Sequence, residues 1–251
     1  MDPPELAEVI GKYVKPQTFP LGFKLVRSEC EIGRAKRFEG LTICQIYNMA
    51  RRYRWIVYFD VNTTCPVGIA AYGFAEPDEL FKTGRLAYAA GYVESQEIGV
   101  EYDGSLPRLE GGYIGCKVSP LELAEEEPDF VVVYGSPAQI LRFVHAVVYR
   151  RGHGVESVIR GRGACAEFLD AFISGQPRIV IPCYGDRLFG QTQDFEMAFS
   201  FPYGMAEEIA DGLRATHRRG VRYPIPSSGL RVPVPVPEEY RKSVENMRLK
   251  P

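Results

Sequence analysis

No Cys-x-x-Cys pair occurs anywhere in these 251 residues, although the chain carries six cysteines. That absence excludes the paired knuckles on which most zinc and many iron–sulfur folds are built. It also excludes covalently attached haem, which needs Cys-x-x-Cys-His. Charge of one sign is missing too. Thirty basic against 32 acidic residues leave a net −2, so no global field draws the chain to nucleic acid or an anionic membrane. No apolar run approaches the roughly 18 residues that a membrane span requires. The opening Met1-Asp2-Pro3-Pro4-Glu5 has neither a basic leader nor an apolar stretch of signal-peptide length. Walker loops, His-Glu-x-x-His and a Ser–His–Asp constellation are not found. The expectation is a cytoplasmic chain with no membrane and no nucleic-acid partner.

With 45% hydrophobic residues the chain can bury a full core, as one large domain or two small ones. Six cysteines are too few for a disulfide-built scaffold of this length, and grouped cysteines in a reducing compartment more often serve metals or redox chemistry. Asparagine is confined to Asn48, Asn62 and Asn246 while proline, tyrosine and arginine are plentiful, a composition like that of a thermophile. Disulfide pairing therefore stays open as well.

The hydrophobic pattern alternates strands and helices and predicts an α+β fold, with mixed sheets and flanking helices. Phe23–Val26, Trp55–Val61, Tyr113–Val118, Phe130–Tyr134, Val155–Ile159, Arg178–Ile181 and Phe195–Phe201 read as strands. Thr42 with Gln45 caps a helix over Ile43–Tyr53, and Ser136-Pro137-Ala138-Gln139 caps another that ends at Arg150-Arg151-Gly152 with a stripe of Ile140, Val144, Val147 and Val148. Pro66 suits the first position of a short helix through Phe74, Cys165–Ile173 is helical, and Met205–Arg219 is a helix with acids first and bases last. Residues 75–110 read as mixed helix and loop.

Four cysteines share a local setting. Cys44, Cys65, Cys165 and Cys183 each stand at or near the start of a helix or tight turn, where unpaired N–H groups and partial positive charge favour thiolate. Their order repeats: a cysteine-led helix, a strand and a second cysteine run from Cys44 to Cys65 and again from Cys165 to Cys183. This echo suggests two related half-units, 20–120 and 128–220, within a composite domain over 1–220. Facing one another, such units would gather four sulfurs. Chance likeness of short α/β pieces is the competing explanation. Beyond Gly220 the prolines of 221–251 forbid interior helix or central strand, so this segment is expected to be an extended arm that favours a homo-oligomer, ending in a short helix near Glu238–Met247.

In that order the segments Cys44-Gln45, Cys65-Pro66-Val67-Gly68, the Ser136–Arg151 helix, Gly161-Arg162-Gly163-Ala164-Cys165-Ala166-Glu167 and Pro182-Cys183-Tyr184-Gly185-Asp186-Arg187 resemble the uncharacterised archaeal and bacterial family called domain of unknown function 169. The resemblance spans roughly residues 20 to 215. It implies that the four cysteines belong to the family pattern, whereas Cys30 and Cys116 are peculiar to this chain.

Two functions follow as expectations. In the first, Cys44, Cys65, Cys165 and Cys183 hold an iron–sulfur cluster or other metal ion, in a binding or electron-transfer protein with a redox partner protein. A core this size has no need of structural zinc, which tilts the choice toward a redox centre. In the second, an enzyme or sensor binds an anionic small molecule at the Gly161, Arg162, Gly163 turn and uses a cysteine, Cys165 for choice, as a reactive thiol. A dinucleotide site is excluded there because the next strand ends Ile181-Pro182-Cys183 without an acid. The alternatives are inert cysteines and a tight structural turn. Non-covalent haem on His145, His153 or His217 is a minor reading; His217 lies on the line of Ile209 and Leu213 and suits a core edge. Arg51-Arg52-Tyr53-Arg54 ends a helix and is read as dipole compensation.

Overall fold

The computed structural model describes residues 1–227, 229, 233 and 235–248. The strands are β1 Leu21–Val26, β2 Lys36–Arg37, β3 Val57–Phe59, β4 Gly115–Pro120, β5 Phe130–Gly135, β6 Arg178–Val180 and β7 Met197–Pro202. The helices are α1 Pro3–Tyr13, α2 Ile43–Tyr53, α3 Pro66–Ala71, α4 Glu79–Lys82, α5 Arg85–Ala89, α6 Gln96–Gly104, α7 Pro137–Arg151, α8 Ala164–Ser174, α9 Tyr184–Gly190, α10 Ala206–Arg218 and α11 Glu238–Arg248.

Phe130-Val131-Val132-Val133-Tyr134 is apolar at every position, which suits only a strand covered on both faces. It forms an interior strand, β5, of a seven-stranded sheet of order β2-β3-β4-β1-β5-β7-β6. Every neighbouring pair is antiparallel except β2 with β3. The alternation of strand side chains assigns the two faces. Phe130, Val132 and Tyr134 join Leu21, Phe23 and Leu25 in one core under α2, α3 and α8. Val131 and Val133 join Phe199 and Phe201 in the other, under α1, α7 and α10. The fold is α+β, as expected. The order of strands also repeats outward from the central β1–β5 pair: β4 then β3 on one side, β7 then β6 on the other.

Local chemistry sets the helix ends. Thr42 and Gln45 form a complete capping box at α2, and Ser136 and Gln139 form one at α7, with Pro137 at its first position. The buried stripe of α7 is Ile140, Phe143, Ala146 and Val147, together with Arg142, rather than the expected line through Val144 and Val148. Val148 faces solvent because α10 crosses at Ala146, where Gly212 lets the helices touch: a Cβ there would lie 2.4 Å from the Ala146 carbonyl oxygen.

Three expectations need correction. Val155–Ile159 is not a strand; it follows β6 through a side chain, Ser157 Oγ accepting the Ile179 N–H at 2.8 Å, and leaves Val158 and Ile159 exposed. The strand expected over Trp55–Val61 shrinks to β3, because pairing with β4 ends at Phe59. Arg51 is not a surface complement to the helix dipole. It is 1% exposed and bound bidentately to Glu196 of the loop before β7. The helix α1, capped by Asp2 accepting the Glu5 N–H at 2.7 Å, adds a third element to the second core. In the C-terminal arm, α11 buries no residue, Ile225 and Val236 are exposed, and positions 228, 230–232, 234 and 249–251 lie outside the described residues.

Glu167 on α8 couples this fold to pH. Its Oε1 accepts the Arg160 N–H at 2.6 Å, and burial pushes the carboxyl from the ordinary 4.5 to about 7. The folded chain thus holds a proton that the unfolded chain releases between those values. Stability from this group falls as pH rises from about 4.5 to 7. Glu167→Gln keeps an acceptor but cannot ionise. Its urea midpoint relative to wild type should rise between pH 5 and 7.5; a constant difference would contradict the burial argument.

Candidate functional site

Helices α2 and α8 lie on the same face of the sheet, α2 over β3 and β4, α8 over β5, β6 and β7. Each begins with its cysteine at the second position: Cys44 in α2 and Cys165 in α8. The next helix of each segment begins with a cysteine at the cap: Cys65 before α3 and Cys183 before α9. The short helices then cross over. The helix α3 packs on α8, and α9 packs on α2. Cys65 therefore meets Cys165, and Cys183 comes within electrostatic reach of Cys44, each pair drawing one member from either segment.

All four thiols line one cavity of about 400 Å³, with Thr42, Thr64, Val67, Tyr92, Arg162 and Phe189 among its walls. None is in a disulfide. The thiols stand around a space rather than at a point: among the described residues no three His, Cys, Asp or Glu side chains could hold a single metal ion. Cys30 is exposed and Cys116 is buried in β4; neither lines this cavity.

The expectation that every one of these cysteines favours thiolate is overturned for three of them. Burial pushes Cys44 and Cys183 up, and the Asp186 carboxylate adds to both. Cys165 is raised first by its hydrogen bond with Cys65 and then by burial. Desolvation of a thiolate outweighs the partial charge of a helix end when water is excluded. Cys65 goes the other way, to about 7: the Cys165 thiol bonds it, and it accepts the Gly68 N–H at 3.4 Å. Within the pair, the shared hydrogen bond favours the thiolate on Cys65 rather than on Cys165.

The Gly161, Arg162, Gly163 turn is a wall of the same cavity. Gly161 and Gly163 both adopt φ of +73°, and a Cβ at Gly163 would meet Val67 at 3.0 Å, so the turn requires glycine there. Arg162 is buried and ion-paired with Asp103 of α6, while its guanidinium lies 5.3 Å from the Tyr92 ring centroid. The ion pair anchors the 75–110 segment as a side of the cavity. His145 and His217 sit on the opposite face of the sheet and His153 is an exposed loop residue, so none of the three lines the thiol cavity.

The sequence reading passed over Asp186. It is fully enclosed behind Cys44 and Cys183, accepting bonds from Tyr134 Oη at 3.1 Å and Thr192 Oγ1 at 3.0 Å, and Gly190 of the same helix brings its backbone against Cys44. Burial raises its carboxyl, and Arg51 opposes that rise. Its signal in the sequence is an acid three residues after Cys183, in the first turn of α9.

A model of the family described as DUF169, uncharacterised ArCR, matches residues 9–212. The chain is also similar to the uncharacterized protein MJ0308 of Methanocaldococcus jannaschii, with 27% identity over 196 residues that cover 76% of this chain and 84% of that protein. No solved structure matches.

Proposed function

We propose that this chain, which belongs to the DUF169 family, holds an iron–sulfur cluster on Cys44, Cys65, Cys165 and Cys183 and serves in redox or electron-transfer chemistry. The observation that carries the reading is the meeting of four free cysteines, two from each of two segments well separated in the chain, on the walls of a single cavity of about 400 Å³. A lone ion draws its ligands to bonding distance from one point, whereas thiols spaced round a cavity suit a body with its own volume. When bound, such a cluster supplies one-electron transfer. The chain's part is to hold four sulfur donors, to bring backbone N–H groups to them at the starts of α2 and α8, and to line the cavity with Val67, Tyr92 and Phe189.

A second reading is favoured by one observation, the lowering of Cys65 to about 7 beside Cys165. On it, Cys65 is the reactive thiol of an enzyme or sensor, and the Gly161–Gly163 wall receives an anionic small molecule. Because Asp103 neutralises Arg162, the backbone of the turn would supply most of the attraction.

Anaerobic reconstitution with ferrous iron and sulfide separates the two. The cluster reading expects brown protein with iron and acid-labile sulfide. Cys65→Ser and Cys183→Ser should each lose most of both while remaining folded. Wild-type protein that stays colourless, and whose Cys65 is alkylated by iodoacetamide with a midpoint near pH 7, would establish the thiol reading in its place.

A further inference from the structure

On the face of the sheet away from the cysteines, Arg142 of α7 is 1% exposed and has no carboxylate partner among the described residues. Two of its contacts are to the last turns of α10: Nη2 donates to the Leu213 carbonyl at 3.2 Å and to Thr216 Oγ1 at 3.0 Å. Its Nε and Nη1 have no partner among the described residues. Arg142 also borders a cavity of about 270 Å³ closed by the first residues beyond α10, with His145, Arg222, Leu141 and Ile225 in its walls. The Nδ1 of His145 is likewise buried without a partner.

The charged residues in the walls of this cavity, Arg142 and Arg222, are both basic. His145 feels Arg142, and the nearby His217 feels Arg222, Arg142, Lys12 and Lys15, each of which lowers the histidine after burial has done so. A buried guanidinium with free N–H groups, beside an unpaired imidazole and a second arginine, is an arrangement that an oxyanion completes. Elsewhere in the fold buried arginines are matched, Arg51 by Glu196 and Arg162 by Asp103. Arg142 alone among these three lacks its acid.

We propose that the cavity between α7 and the segment following α10 is a binding site for the oxyanion of a small molecule, a carboxylate or phosphate group received by Arg142, His145 and Arg222. The site is independent of the cysteine cavity. Its apolar sides, Leu141 and Ile225, leave room for a short organic body attached to the charged group.

Inorganic phosphate and acetate are the probes, each compared with sodium chloride at equal ionic strength by thermal unfolding and titration calorimetry. One of the two oxyanions should raise the melting temperature beyond the chloride control, and which one does so identifies the group. Arg222→Gln, at an exposed position, should keep the fold and weaken that oxyanion about tenfold. Arg142→Met should abolish the increment while leaving the unliganded protein at least as stable as wild type. Equal shifts with oxyanion and chloride would overturn the site, as would an increment that survives Arg222→Gln. Should Arg142→Met fail to fold, the Arg222→Gln titration decides alone.

Discussion

Glu196→Gln should lower the melting temperature by about 10 °C. Arg51 Nη1 and Nη2 donate to Oε1 and Oε2 of Glu196 at 3.3 and 3.0 Å, and the guanidinium lies 4.0 Å from the Tyr134 ring centroid. The two side chains are 1% and 4% exposed. Glu196 also accepts the Gln193 N–H at 2.7 Å and faces Arg52 at 3.7 Å. Removing one partner of such a pair strands a charge in the interior, at a cost of roughly 3–5 kcal/mol. Asp186 is near enough to Arg51 to take back part of that cost, so the lower end is expected. The double substitution Arg51→Met with Glu196→Leu removes both charges and should sit within about 1 kcal/mol of wild type, because the attraction largely repays desolvation and adds little beyond it. Urea unfolding of the three proteins decides it. A single variant that melts within 2 °C of wild type, on a scale where roughly 2–4 °C corresponds to 1 kcal/mol, would mean that the pair is open to water.

Gly212→Ala and Gly11→Ala are the same chemical change in helix interiors, and they should move stability in opposite directions. A methyl group at Gly11 of α1 meets nothing within 4 Å. There the helix gains from reduced chain entropy, by about 0.5–1 kcal/mol. At Gly212 the added carbon falls 2.4, 2.7 and 2.8 Å from the O, Cα and C atoms of Ala146, backbone that no rotamer can clear. The α7–α10 contact must open, and overpacking of that kind costs roughly 1–3 kcal/mol or more. Set against the propensity gain, a net loss near 2 kcal/mol is expected, with a gap approaching 3 kcal/mol between the two variants. Thermal melts of both read that gap directly; equal effects would show that α7 and α10 slide apart freely.

The two capping boxes were legible because both partners lie three residues apart, and the same is true of Pro66 and Pro137 at first helical positions. The run from Phe130 to Tyr134 announced a central strand by lacking any polar face. The cysteines' places at helix starts were legible for the same local reason. Their pairing was not, since it depends on α3 crossing to α8 and α9 to α2, contacts between segments with no sequence code for each other. Arginines were the least legible residues. Arg51 and Arg142 sit in helices where sequence allows either a solvated or an enclosed guanidinium, and the partner that decides for Arg51 is 145 positions away. Val155–Ile159 misled for the opposite reason: β-branched residues favour extended backbone, but sheet needs main-chain pairing, and at the free edge of β6 the Ile179 N–H is taken by the Ser157 side chain instead.

The crossover of α3 and α9 also fixes when the cysteine cavity can come into being. Cys44 and Cys65 emerge from the ribosome about a hundred residues ahead of Cys165 and Cys183, and the wall that α9 contributes comes later than β5, the strand that joins the two sides of the sheet. A nascent chain halted after β4 carries two of the four cavity thiols and no enclosure. Any group that needs all four sulfurs can be held only after the second segment has been made, and until then Cys44 and Cys65 lack the α8 and α9 walls.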